Sequence, residues 1–204
     1  MTSPTATLRE LSGLALTPAP LTDSALVMID CQNTYREGVM KLEGVEEALA
    51  EARRLLEAAR ELGVPVIHIQ HDAGEGSPYD IRAEIGAITD VVAPIDAEPV
   101  VVKHYPNSFV QTDLEERLRA LGITNVVLAG FMTHMCVNST AHGAFNLGFA
   151  PTVVASATAT RGLTSVGGRA LTAEQVHHGA LASTRDLYAA VVDDVASYLA
   201  AART

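Results

Sequence analysis

Six short apolar runs alternate along this chain with stretches that carry an apolar stripe at helical spacing, and this alternation limits the folds open to it. The runs are SALVMID (24–30), VPVIHIQ (64–70), PVVVK (99–103), NVVLA (125–129), APTVVA (150–155) and LYAAVV (187–192). Near-continuous hydrophobicity of this kind marks strands buried on both faces. Between the first two, Val45, Ala48, Leu49, Ala52, Leu55, Leu56, Ala59 and Leu62 share one helical face, Arg53 and Glu57 take the other, and Gly63 is placed to end the helix. The pattern predicts further helices through 120, over 133–147, over about 172–186 and at the C-terminus, with Thr112 and Glu115 as a capping box for the first. Strands joined by helical crossovers pair in parallel. The expected class is therefore α/β, with a six-stranded, mostly parallel, doubly wound sheet.

At 204 residues the chain fits one core, with residues 1–23 as an N-terminal extension and 24–204 as a single domain. Residues 71–98, HDAGEGSPYDIRAEIGAITDVVAPIDAE, are too long for a plain connection. They read as a lid or substrate loop, or as a surface excursion with a short helix at 80–86. The formal charge of −10 argues against nucleic acid or an anionic membrane as partner. A hydrophobic fraction of 48%, much of it alanine and valine, suits buried parallel strands and also a homo-oligomeric interface, a dimer or tetramer. No apolar stretch approaches the roughly 18 residues that span a bilayer. The N-terminus lacks a basic start followed by an apolar core, so a cytoplasmic location is expected. Cys31 and Cys136 make no disulfide framework.

The chemistry concentrates in ITNVVLAGFMTHMCVNST (123–140), where a strand runs into a glycine and a turn opens a helix with Cys136 in its first turn. Unsatisfied N–H groups and the helix dipole at such a start are expected to lower the thiol pKa and favour the nucleophilic thiolate. Asp30 and Lys103 end two other strands, so an acid, a base and a thiol share the sheet's carboxyl edge, where open α/β sheets place their sites. Taken singly, Cys136 reads as a packed core thiol, Asp30 as a cap and Lys103 as an exposed strand end. Cys31, directly after Asp30, reads as core packing. His68 and His71 stand three apart, which on a strand turns them to opposite faces and suits no shared metal ion. No Gly-x-Gly-x-x-Gly follows the first strand, which argues against a nucleotide-binding or redox protein.

ALVMIDCQNTY (25–35), VVKHYPNSFVQTDLEERL (101–118) and VVLAGFMTHMCVNSTAHGAFNLGFAPTVVASATAT (126–160) together resemble the three signature blocks of the isochorismatase-like cysteine hydrolases, and HHGALASTRDLYAAVV (177–192) extends the match. The resemblance implies a Rossmann-like three-layer α/β/α sandwich and a catalytic triad of Asp30, Lys103 and Cys136. It also implies a non-proline cis peptide at Phe131–Met132, with the backbone N–H groups of Met132 and Cys136 as an oxyanion hole. A small, partly aromatic pocket would be framed by Tyr35, Tyr105, Asn107, Phe109 and Phe131. The zinc-binding branch carries an Asp-x-His motif that HDAGEGSPYD lacks, so no metal and no other cofactor is expected. His134 would sit at the pocket rim or an interface, and His177 would make a structural hydrogen bond. The implied activity is cysteine-dependent hydrolysis of a C–N bond in a small linear or cyclic amide, of N-carbamoyl, ureido or lactam type. The presence of the cysteine favours this over vinyl ether hydrolysis. A non-enzymatic oligomer that retains the fold is the rival reading.

Overall fold

The apolar runs become the strands of one sheet. In the computed structural model, chain order runs α1 (Leu8–Leu11), β1 (Ser24–Ile29), α2 (Val45–Glu61), β2 (Val66–His71), β3 (Val100–Lys103), α3 (Leu114–Ala120), β4 (Asn125–Phe131), α4 (Asn138–Asn146) and β5 (Ala150–Ala159). A short antiparallel hairpin, β6 (Leu163–Thr164) and β7 (Ala170–Leu171), precedes α5 (Ala173–Asp186), β8 (Ala190–Val192) and α6 (Val195–Ala201). The structure describes residues 5–95 and 98–201; the remainder of the N-terminal extension, of the 71–98 loop and of the C-terminus lies outside the described residues.

Six strands pair in the order β3-β2-β1-β4-β5-β8, every neighbour parallel, as the sequence predicts. The chain builds outward from β1 to β3 on one side and from β4 to β8 on the other, so the topological switch lies between β1 and β4. The two faces bury different side chains, since successive residues of a strand alternate. Leu26 and Met28 pack with Leu49, Leu55 and Leu56 of α2 and with Tyr198 of α6. Val27 and Ile29 pack with Leu118 of α3, Ala141 of α4 and Leu181 of α5. Arg9 anchors the N-terminal extension: its buried guanidinium donates to the carbonyls of Ala15 and Leu187.

Several local expectations differ from the structure. Asp113, not Thr112, is the N-cap of α3 and makes no side-chain capping bond; the Thr112 hydroxyl instead donates to the Ser108 carbonyl at 2.6 Å. No α-helix forms over 80–86, where only a single 3₁₀ turn, Glu84–Gly86, appears. At Gly86 a Cβ would lie 2.2 Å from the Asp80 carbonyl oxygen, so the backbone there approaches too closely for a side chain. The stretch predicted as one helix over 133–147 starts with a π-helical turn, Thr133–Val137, before α4. Strand β5 runs four residues past the predicted 155, to Ala159, with a register shift against β4. Thr172 does cap α5 reciprocally with Gln175.

Strand β4 carries Gly130 at φ +115°, where an added Cβ would fall 2.0 Å from the Ile29 carbonyl oxygen. This contact lets β4 lie against the end of β1, beside Asp30. Gly130→Ala is expected to cost more than about 3 kcal/mol, because strain and steric overlap coincide at a position with nowhere to shift. Thermal unfolding of the variant measures it, and a Tm within a degree of wild type would refute the close-approach argument.

Candidate active site

Asp30 follows directly on β1, Lys103 is the last residue of β3, and Cys136 lies in the π-helical turn after β4. The switch in strand order brings the ends of β1 and β4 side by side, with Ile29 registered against Gly130. Lys103 starts two strands away, about 10 Å across the sheet at the usual strand spacing. Its long stem passes the end of β2, where His71 is its register partner, and delivers the ammonium to the switch point.

The ammonium lies 2.7 Å from Asp30 Oδ2, 3.4 Å from Cys136 Sγ and 3.2 Å from His71 Nδ1. The Asp30 contact is an ion pair outside hydrogen-bond geometry, and both Asp30 carboxylate oxygens lack a hydrogen-bond partner, whereas His71 Nδ1 and Cys136 Sγ lie in hydrogen-bond reach of the ammonium. Asp30 and Lys103 are fully buried and Cys136 is 5% exposed. Asp30 adopts left-handed backbone at φ +49°; its N–H donates to the Ile69 carbonyl and its own carbonyl accepts from the Gln32 N–H.

Burial pushes the Asp30 carboxyl above its ordinary range, against the pull of Lys103. The Cys136 thiol is pushed up to about 12, first by burial and then by the Asp30 charge, with Lys103 pulling it down. This corrects the expectation of an acidic thiol. A helix start lowers a thiol pKa where the thiolate is solvated, whereas Cys136 is sealed beside a carboxylate, so both burial and charge favour the protonated form. Cys31 is buried among the residues packed against α2, away from Cys136, and its thiol is also pushed upward by burial.

The turn that carries Cys136 is held by two bonds to one carbonyl: Met132 O accepts from Met135 N at 3.0 Å and from Val137 N, five residues on, at 3.2 Å. The Phe131–Met132 peptide is cis, as the resemblance implies. Thr133 and His177 tie the turn to α5 at 3.0 Å, the structural hydrogen bond expected of His177. His134 bonds to Thr160 at the end of β5.

Of the predicted pocket residues, Tyr35 and Phe131 are buried and pack edge to face, 5.5 Å between ring centroids. Burial first, and then the Asp30 charge, hold the Tyr35 phenol well above the ordinary range, so it stays protonated. Tyr105 is 44% exposed beyond β3. Asn107 is committed elsewhere. Its Oδ1 accepts from Phe109 N at 3.0 Å, and its amide fills the space left by the missing side chain of Gly143 on α4. Phe109 stacks on Phe149, 5.7 Å between centroids, within the α3–α4 layer.

Sequence reasoning missed His71, Tyr79 and Arg161 as neighbours of the site. Tyr79, in the 71–98 loop, lies edge-on to His71 at 5.1 Å and to Tyr35 at 5.8 Å. Arg161, exposed just after β5, acts electrostatically on both Tyr79 and His134. The loop itself is tied to the β1 end: Gln32 Nε2 donates to the Gly86 carbonyl at 2.7 Å and Thr89 N to the Cys31 carbonyl at 2.8 Å. A groove of about 460 Å³ between α2 and α5 passes Thr158, Thr160 and His177. Another hollow of about 550 Å³ lies at the opposite, amino-terminal ends of β2 and β3, beside Pro65 and Glu98. Asp30, Lys103 and Cys136 line neither.

Among the described residues no group of three or more His, Cys, Asp or Glu side chains is placed to hold a metal ion, and no helix is long and apolar enough to cross a membrane. Comparison with known proteins agrees with the fold. A family described as the isochorismatase domain matches residues 24–194. The isochorismatase family protein YddQ of Bacillus subtilis, itself uncharacterized, is 37% identical over 171 residues, covering 82% of this chain and 94% of its own length. The ureidoacrylate amidohydrolase RutB of Stutzerimonas stutzeri is 31% identical over 181 residues, covering 69% of this chain and 73% of its own. A crystal structure of an isochorismatase from Pseudomonas putida KT2440 superposes with a TM-score of 0.91 at 37% identity, over 95% of this chain and 98% of that one. A doubly wound sheet with an acid, a lysine and a cysteine gathered at its switch point, matched over most of its length by these proteins, belongs to the isochorismatase family.

Proposed function

We propose that the protein is a cysteine-dependent hydrolase of a C–N bond in a small amide that carries an anionic group. One observation carries this reading: a single buried ammonium lies against both the Asp30 carboxylate and the Cys136 thiol. That arrangement can move one proton and stabilise one anion, which is what thiol attack on an amide requires.

In the proposed cycle Cys136 Sγ attacks the amide carbon as Asp30 takes the thiol proton, so no free thiolate accumulates in the resting enzyme. Lys103 offsets the negative charge as it passes from carboxylate to sulfur. The oxyanion of the tetrahedral intermediate is bound by the backbone N–H groups of Met132 and Cys136. Asp30 then gives its proton to the leaving nitrogen, the C–N bond breaks, and a thioester remains on Cys136. Asp30, again a carboxylate, accepts a proton from water as the water attacks the thioester, and the acid product departs with the thiol restored. Each step balances within these side chains and water, and calls on no cofactor. Tyr35 and Phe131, buried and packed edge to face, would wall the substrate pocket.

The anionic requirement rests on Arg161. Its charge acts on both Tyr79 and His134, on a chain whose net charge of −10 otherwise repels anions. Ureidoacrylate, the substrate named for one relative, is itself a carboxylate that bears a C–N bond of ureido type. The test is hydrolysis of a small panel of N-carbamoyl and ureido acids beside their neutral amide counterparts, with product ammonia or amine measured. Cys136→Ala is expected to reduce turnover to background with the fold intact; wild-type turnover in that variant sinks the mechanism. Arg161→Ala is expected to raise KM for the acids by tenfold or more and to leave KM for neutral amides unchanged. An equal effect on both sets removes the anionic requirement.

A further inference from the structure

The geometry points to His71 as a positioning residue: its Nδ1 is the third partner that fixes the Lys103 ammonium between Asp30 and Cys136. This inference rests on the proposed role of Lys103 and goes beyond it, because the fixed point lies outside the three residues that would do the chemistry.

An ammonium held by two partners can still swing about the end of its flexible stem, and a third removes that freedom. The partners are Asp30 Oδ2, an ion pair at 2.7 Å, and two hydrogen-bond acceptors, His71 Nδ1 at 3.2 Å and Cys136 Sγ at 3.4 Å. For His71 to accept, its ring must be neutral with the proton on Nε2. Burial, and then the charge of Lys103, hold its pKa down to about 4, with His104 adding to the effect and Asp72 opposing it. The imidazole is therefore neutral across the physiological range.

The residue is itself held from two sides, its backbone by Gln32 and its ring by Tyr79. Gln32, fully buried and two residues past Asp30, pairs with the His71 backbone in the manner of a neighbouring strand: Nε2 donates to His71 O at 3.0 Å and Oε1 accepts from His71 N at 2.9 Å. Gln32 Nε2 also reaches the Gly86 carbonyl, so one side chain ties the end of β2 to the loop. From that loop Tyr79 places its ring edge-on to the imidazole, 5.1 Å between centroids. A chain of contacts thus runs from the loop through His71 to the ammonium. None of its members need touch the reacting atoms.

Asparagine offers the decisive comparison, because its side-chain oxygen sits at the branch position of His Nδ1, whereas glutamine carries its oxygen one bond farther out. His71→Ala is expected to lower kcat by about 10²-fold with KM changed less than threefold, the effect of a misplaced reacting group. It is also expected to slow alkylation of Cys136 by iodoacetamide, because an ammonium released from its position lowers the thiol pKa less. His71→Asn is expected to recover most of both losses, and His71→Gln to resemble alanine. If the alanine variant does not fold, the asparagine and glutamine pair carries the comparison. Wild-type kcat and alkylation in His71→Ala or His71→Gln would overturn the inference, as would an asparagine variant no better than alanine. Cys136→Ala run in parallel separates the two failures: residual turnover there refutes the cysteine mechanism, while the alkylation comparison on the other variants still decides the role of His71.

Discussion

Asp30→Asn is expected to lower kcat/KM by about 10³-fold and, in the same protein, to make the Cys136 thiol easier to ionise. The two effects point in opposite directions because Asp30 has two influences on the sulfur. As a base it accepts the thiol proton during attack, and an amide cannot. As a charge it raises the thiol pKa, second only to burial among the causes that bring it to about 12. Removing the charge leaves burial still raising the thiol and Lys103 still lowering it, so the thiol pKa falls from its wild-type position. Asparagine tolerates the left-handed backbone at φ +49°, so the substitution tests the carboxylate and not the turn. The measurement is iodoacetamide labelling of Cys136 against pH, followed by peptide mass spectrometry, beside steady-state kinetics. Labelling should begin at lower pH in the variant than in wild type while turnover is nearly lost. Slower labelling together with slower turnover would mean that Asp30 activates the resting thiol, and the concerted proton transfer would be wrong.

Lys103→Met is expected to abolish turnover and to cost about 3–5 kcal/mol of stability. Methionine replaces most of the stem's volume, so the loss is chiefly electrostatic. Lys103 and Asp30 are both fully buried and 2.7 Å apart, and removing the cation strands a carboxylate in the interior with its charge uncompensated. The double variant Asp30→Asn/Lys103→Met should regain much of the stability and none of the activity, because no lone buried charge remains. Urea unfolding of the two single variants and the double one closes the cycle. Additive single effects would show that the pair is not coupled and that the short distance carries little energy. The ion pair is then a structural cost retained for chemistry, since an apolar pair of like volume would fill the same space without desolvating two charges.

How much of this could be read in advance depends on the range of the forces involved. The buried strands announce themselves because a strand covered on both faces has no polar position, and the helix over Val45–Glu61 because one stripe of it meets the sheet. The carboxyl-edge placement of Asp30, Lys103 and Cys136 follows from the strand ends alone. The capping box at Thr112 does not form because α3 starts one residue later, with Asp113 as its N-cap; Thr112 Oγ1 still accepts from Leu114 N and donates to the Ser108 carbonyl. The π-helical turn leaves no periodic signal, since Thr133–Val137 is a single turn defined by which carbonyl the fifth amide reaches. Asn107 and Phe109 sit in a block that suggests a pocket, yet their neighbours, Gly143 and Phe149, come from α4 and the residue before β5 and draw them into packing.

The sequence by itself determined the architecture and the three side chains at its switch point, because periodicity and strand ends are local properties of the chain. Only the tertiary structure decided the rest. His71 became a partner of Lys103 because the pairing of β2 with β3 sets them in register, and Tyr79 reached the site because a long loop folds back over β1. The protonation of Cys136 was decided there too. A pKa is set by what surrounds the group in space, and here burial and the Asp30 charge raise the thiol against the pull of Lys103.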